Sequence, residues 1–217
     1  MSSAMVADLC VEPVVIGLQE SILSTITDRD VHLALWDRTR PAALAWLDHL
    51  PWDEIDDIDQ VVEKAAAPSA IAQALEDAGY PAGADGQALH SEIVDRAVFF
   101  ARIMGCERLR WRLEVVETDA CRKFHADMVT ARLLMSLSGP TTQWIHAGAP
   151  DDIRAMRLGA VGLFKGRLLA EHPRILHRSP PIAGTEQTRL LLVINPALAA
   201  DAQEAAGSAA CFPSLMS

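Results

Sequence analysis

The chain has 217 residues, half of them hydrophobic, and a formal net charge of −10. That is enough for one sizeable core, and the acidic balance argues against general nucleic-acid binding. The longest apolar runs, such as residues 190–194, fall far short of the roughly 18 residues of a membrane span. No Lys or Arg precedes Arg29, so the basic region of a signal peptide is missing and the expected location is the cytoplasm. The four cysteines, Cys10, Cys106, Cys121 and Cys211, form no C-x-x-C pair, which disfavours a zinc ribbon or a thioredoxin-like site.

Along the chain, residues 1–12 and the Ala-, Gly- and Ser-rich 201–217 read as loose ends. Residues 13–107 read as mainly helical. Leu44, Trp46, Leu47 and Leu50 make a short apolar face. The spacing predicts helices over 53–67 and 69–80, separated by Pro68, and a further one over 88–104 with Gly105 as its C-cap. The acidic run from Asp53 to Asp59 reads as a helix start. A short strand is expected at 31–36, with His32 packed or exposed.

From residue 108 the period changes. Leu109, Trp111, Leu113 and Val115 alternate with Arg108, Arg110, Arg112 and Glu114, the pattern of a half-buried strand. Further strands are expected at 125–137, 142–146, 158–164, 174–178 and 188–194, with turns at Gly139-Pro140, Gly148–Pro150, Gly166, Pro180-Pro181 and Gly184. Residues 108–189 hold 13 Lys and Arg against 8 Asp and Glu, whereas the rest holds 6 against 21. A basic half inside an acidic protein fits a pocket for a small anion.

Two His and one carboxylate carry the chemical signal. On a strand, His125 and Asp127 point to one face, with Val129, Ala131 and Leu133 continuing the inward row. A carboxylate on an apolar wall needs a partner or a cation. His177 follows 50 residues after Asp127, and two His with one carboxylate make the facial triad of non-haem Fe(II) sites. Arg189 opens the next strand on the same face as Leu191 and Val193, where its planar fork suits a carboxylate ligand. The plainer alternatives are a strand-end pair of His125 and Asp127 with a core His177, and an Arg189 that neutralises Asp127 or a nearby Glu. Cys121 is a soft-ligand candidate or an ordinary thiol. Trp111 and Trp144 read as core or pocket wall, and His146 and His172 as solvated.

The H-x-D segment, the 50-residue gap, His177 and Arg189 together resemble the Fe(II)/2-oxoglutarate oxygenases of the double-stranded β-helix fold. The run 177–181 with Gly184 and Arg189 is similar to their last two barrel strands. Gly139-Pro140-Thr141-Thr142 is similar to the glycine turn after the H-x-D strand, although a Gly-Gly turn is commoner there. The chain also resembles an uncharacterised bacterial family, through residues 112–119, His125 and Asp127, 159–166 and 177–194. The resemblance implies an α+β protein, with a helical N-terminal half packed on a jelly-roll or cupin-like barrel over 108–200. It implies Fe(II) on His125, Asp127 and His177, and 2-oxoglutarate with its distal carboxylate on Arg189. Thr130, Ser136, Ser179 and Thr188 are the candidate helpers for that carboxylate. The implied reaction is hydroxylation of a small-molecule or amino-acid-like substrate. The alternative functions are a cupin-like protein of metal homeostasis holding zinc or iron without turnover, and an interaction module that kept only the fold.

Overall fold

The computed structural model describes residues 12–119 and 121–197. The loose ends expected at 1–12 and 201–217 lie outside these residues, Glu12 apart. The strands are β1 (Val14–Gly17), β2 (Leu33–Trp36), β3 (Ile58–Glu63), β4 (Arg108–Val116), β5 (Ala131–Ser138), β6 (Gln143–His146), β7 (Ala149–Ala155), β8 (Val161–Lys165), β9 (Ile175–Arg178) and β10 (Arg189–Pro196). The α-helices are α1 (Ala67–Asp77) and α2 (Gly83–Met104), and short 3-10 helices include Glu20–Thr27 and Ala42–His49.

Seven strands form one sheet in the order β1-β2-β8-β5-β10-β4-β3, and three form a second in the order β7-β6-β9. The chain runs β4 and β5 in the large sheet, β6 and β7 in the small one, then crosses at each step through β8, β9 and β10, which is consistent with the expected double-stranded β-helix. Side-chain parity divides the large sheet cleanly. Leu190, Leu192 and Ile194 of β10, Leu133, Met135 and Leu137 of β5 and Leu109, Trp111 and Leu113 of β4 join the core that includes Ile71, Leu89, Ile93 and Phe100 of the helices. Their neighbours of opposite parity, Leu191, Val193 and Leu134, pack with Trp144, Ile175 and Phe164 in a second core between the sheets. One face of the large sheet therefore carries the helices, and the other carries the site.

The structure departs from the sequence reading in four places. The N-terminal half supplies, besides its helices and the expected strand β2, the strands β1 and β3. Residues 53–67 are not a helix: a single 3-10 turn at Trp52–Glu54 leads into edge strand β3, so the acidic run starts no helix. Asp59 of β3 takes two bonds from Arg110 of β4, both at 2.7 Å, and Glu63 pairs with Arg108 at 3.0 Å. These cross-strand ion pairs make a strand out of a segment whose local pattern is ambiguous. The turn expected at Gly148–Pro150 is confined to residues 147–148, and residues 149–155 are a fully exposed edge strand. Finally, β5 begins at Ala131, and the H-x-D segment before it is no regular strand. Pro68 occupies the first turn of α1, where its missing N–H costs nothing, and Gly105 caps α2 with φ +61°.

Among the described residues, no helix is long and apolar enough to cross a membrane.

Candidate metal and anion site

The H-x-D segment is held by its backbone. His125 and His177 exchange two main-chain hydrogen bonds, 3.0 Å from His125 N to His177 O and 2.9 Å in return. On the other side, the carbonyls of Asp127, Val129 and Thr130 accept from the amides of Arg167, Leu168 and Gly166 at 2.8, 3.1 and 2.8 Å. A Cβ on Gly166 would lie 2.0 Å from the Val129 carbonyl oxygen and 3.0 Å from that of Asp127, so only glycine permits this approach. Because residues 126–130 leave the strand, the inward row shifts by one. Arg132, Leu134 and Ser136 face the site, while Ala131 and Leu133 face the helices.

His125, Asp127 and His177 bring one ligand atom each to within 4.8 Å of one another. Nδ1 of His125 lies 2.8 Å from the Lys123 carbonyl. That bond places the ring proton on Nδ1 and leaves Nε2, 3.5 Å from Asp127 Oδ1, with its lone pair directed at the cluster. Asp127 Oδ1 accepts from Arg132 Nη1 at 2.6 Å. Its Oδ2 is buried without a hydrogen-bond donor, although His177 Nε2 is only 3.0 Å away. Two imidazole nitrogens and an orphaned carboxylate oxygen, so close together, form a donor set that fits a divalent cation.

Electrostatics prepare these groups. Burial opposes ionisation of Asp127, but the imidazoles of His125 and His177 set against it and the charge of Arg132 outweigh it and hold the carboxyl far below its ordinary range. Burial lowers His177 and keeps it neutral, as a ligand must be. His125 is raised, chiefly by its hydrogen bond with Asp127. The ring of Phe164 covers His177 at a centroid distance of 4.7 Å. Cys121 lies on the rim of the cavity but outside the ligand cluster.

A cavity of about 350 Å³ joins this cluster to Arg189. Arg189 is 1% exposed. Its Nη1 donates to Ser179 Oγ at 2.7 Å, and its Nη2 donates to Ser136 Oγ at 3.2 Å and to Thr142 Oγ1. Nε is buried without a partner, and among the described residues no carboxylate lies within 4 Å of the guanidinium. Desolvation pushes its pKa down to about 10. Of a guanidinium's five N–H groups, three rest on hydroxyl oxygens. Each hydroxyl that accepts from Arg189 keeps its own proton to donate elsewhere. The cluster is thus a buried set of donors without an anion.

Of the expected helpers, Ser136 and Ser179 reach Arg189. Thr188 lies outside, its Oγ1 donating to Glu117 at 3.2 Å, and Thr130 is absent from the cavity lining. Gly139, with φ +71°, fixes the approach of β10: a Cβ there would lie 2.1 Å from the Thr188 carbonyl oxygen. Sequence reasoning missed Arg132 and Thr142. Arg132 had a legible signal, since a lone Arg between Ala131 and Leu133 on an apolar strand needs a buried acid.

The family described as protein of unknown function DUF1826 matches residues 17–195. The chain belongs to the DUF1826 family. No curated protein matches it by sequence. Solved structures similar to this DUF1826 chain include the dioxygenase for auxin oxidation from rice, at 14% identity, covering 84% of this chain and 82% of that one with a TM-score of 0.46. A Pseudomonas putida prolyl-4-hydroxylase matches at 12% identity over 82% and 98% with a TM-score of 0.46. AviO1 from Streptomyces viridochromogenes matches at 16% identity over 84% and 97% with a TM-score of 0.44.

Proposed function

We propose that this DUF1826 protein is an Fe(II)- and 2-oxoglutarate-dependent oxygenase of a small-molecule substrate. One observation carries the reading: His125 and His177 of the cluster with Asp127, and the anion-free guanidinium of Arg189, line the same cavity. A metal-buffering protein has no use for the second feature. A buried cation costs free energy unless an anion meets it, so its retention is explained by a ligand carboxylate.

His125, Asp127 and His177 hold the metal on one side, leaving its other positions toward the cavity. The Lys123 carbonyl keeps His125 in the ligating tautomer. Arg132 occupies Asp127 Oδ1 and so reserves Oδ2 for the metal. Arg189, whose Nε–H has no protein partner, takes the distal carboxylate of 2-oxoglutarate, with protons donated by Ser136, Thr142 and Ser179. Leu134, Leu191 and Val193 give the stretch between an apolar floor that excludes water. When bound, Fe(II) with 2-oxoglutarate and O₂ would supply an oxidant able to hydroxylate an unactivated C–H bond, with 2-oxoglutarate consumed and released as succinate and CO₂.

The test is succinate formation from 2-oxoglutarate by the Fe(II)-loaded protein in air. The reading requires turnover that Asp127→Ala abolishes and that Arg189→Met supports only at much higher 2-oxoglutarate. Tight zinc binding with no 2-oxoglutarate consumption by the iron form would favour metal buffering instead.

A further inference from the structure

The polar face of β4 has the pattern of a solvated strand face, yet Arg112 and Glu114 line the cavity. In register, Arg112 stands beside Val193 and Glu114 beside Leu191, so both flank the apolar floor between the triad and Arg189. Arg112 Nη1 bonds Glu114 Oε1 at 2.8 Å, and the two side chains retain 26% and 27% exposure. Asp57 adds a second carboxylate at the rim, pinned by the amide of Val115, which donates to its Oδ1 at 2.6 Å. Of the other cations lining the cavity, Arg132 is matched by Asp127, and Arg178 donates to Gln143 Oε1 at 2.8 Å and lies over the Phe124 ring.

We infer, resting on the oxygenase reading, that the substrate is a small zwitterion, a free α-amino acid, seated by its carboxylate on Arg112 and by its ammonium on Glu114 and Asp57. The half-exposed ion pair is the reason. A neutral apolar ligand covering it would remove its water and return nothing. A simple anion meets Glu114 and Asp57, and a simple cation meets Arg112. A molecule bearing both charges on one carbon satisfies both halves of the pair. Glu114 already feels its burial, which pushes its pKa up against the pull of Arg112, so a second cation is welcome there. The cavity is near the small end of ligand sites, which span about 300–1,000 Å³. With the cosubstrate in place, room remains for a compact molecule. Its side chain then points past the cosubstrate toward the triad, and its backbone charges stay at the rim.

The experiment is an anaerobic titration of the Fe(II)- and 2-oxoglutarate-loaded protein with each of the 20 proteinogenic amino acids. The visible charge-transfer band reports substrate arrival, and calorimetry on the Zn(II)-loaded protein gives a readout without turnover. At least one amino acid is expected to perturb the band and to bind at least tenfold more tightly than its amide or its decarboxylated amine. Glu114→Gln and Arg112→Gln are each expected to weaken that binding at least tenfold while the 2-oxoglutarate band persists. If the band forms but no amino acid perturbs it or binds, or if amine and amino acid bind alike, the inference is overturned and the oxygenase reading stands. If no band forms with 2-oxoglutarate, the oxygenase reading itself fails, and the inference with it.

Discussion

Arg132 and Asp127 make the buried ion pair on which the metal cluster is built: Nη1 donates to Oδ1 at 2.6 Å and leaves Oδ2 free of any hydrogen bond. The side chains are 18% and 12% exposed, so this pair is far from a surface salt bridge.

Removing one partner of a buried pair strands the other charge, at a cost of about 3–5 kcal/mol. Arg132→Met is therefore expected to lower the metal-free melting temperature by roughly 6–20 °C, taking about 2–4 °C per kcal/mol for a chain of this size. A divalent cation neutralises the stranded Asp127, so saturating Zn(II) should raise the melting temperature of the variant more than that of the parent. Scanning calorimetry with and without metal checks this. Equal metal-induced shifts would separate Arg132 from the cluster.

Arg189 behaves in the opposite sense. It is a buried cation without a carboxylate, and replacing such a group by an apolar residue of similar volume is often neutral or stabilising. Arg189→Met is expected to melt at or above the parent temperature while losing about 10- to 100-fold in affinity for 2-oxoglutarate, the value of a charged hydrogen-bonded contact. Calorimetry and a binding titration on the same preparation read both quantities.

Metal affinity should depend on pH through His125. The ligand must be neutral, and its pKa is raised above the ordinary 6.5, chiefly by Asp127. Affinity is therefore full at alkaline pH and begins to fall while the pH is still above 6.5, by about tenfold per pH unit once His125 is protonated. His177, lowered by burial, does not set this limit. A Zn(II) titration at several pH values measures the slope.

Fold stability has a separate acid limit. His32 is 7% exposed, its Nδ1 accepts from the Arg174 amide at 3.1 Å, and desolvation with the nearby Arg174 and Lys165 charges lowers its pKa to about 4. The unfolded chain takes up this proton near pH 6.5 and the folded one only near 4. Stability from His32 is thus complete above 6.5 and declines as the pH falls toward 4. In His32→Gln, denaturant unfolding should depend less on pH across that window than in the parent.

Much of the site was legible because its signals are local. Arg189 shares parity with Leu191 and Val193 and does line the cavity, and His125, Asp127 and His177 do converge. The strand expected at 108–117 is β4, and those at 142–146, 174–178 and 188–194 fall on β6, β9 and β10. What local pattern does not encode is what lies opposite. Strand β3 was hidden because Asp59 and Glu63 make sense only beside Arg110 and Arg108, 51 and 45 positions away. Strand β7 has no buried residue and so no alternation to read. The row His125, Asp127, Val129 slipped by one because tertiary bonds from Gly166, Arg167 and Leu168 hold that segment out of the sheet. For the same reason the charged face of β4 read as solvated, although Arg112 and Glu114 look into a cavity closed by strands far along the chain.

Oxygenase activity requires that one small dicarboxylate span the triad and Arg189. An anaerobic visible titration of the Fe(II)-loaded protein with 2-oxoglutarate, run in parallel on Asp127→Ala and Arg189→Met, measures this. A charge-transfer band is expected that saturates in the parent, is missing in Asp127→Ala, and needs at least tenfold more 2-oxoglutarate in Arg189→Met. No band in the parent, or the same 2-oxoglutarate dependence with and without Arg189, would contradict it.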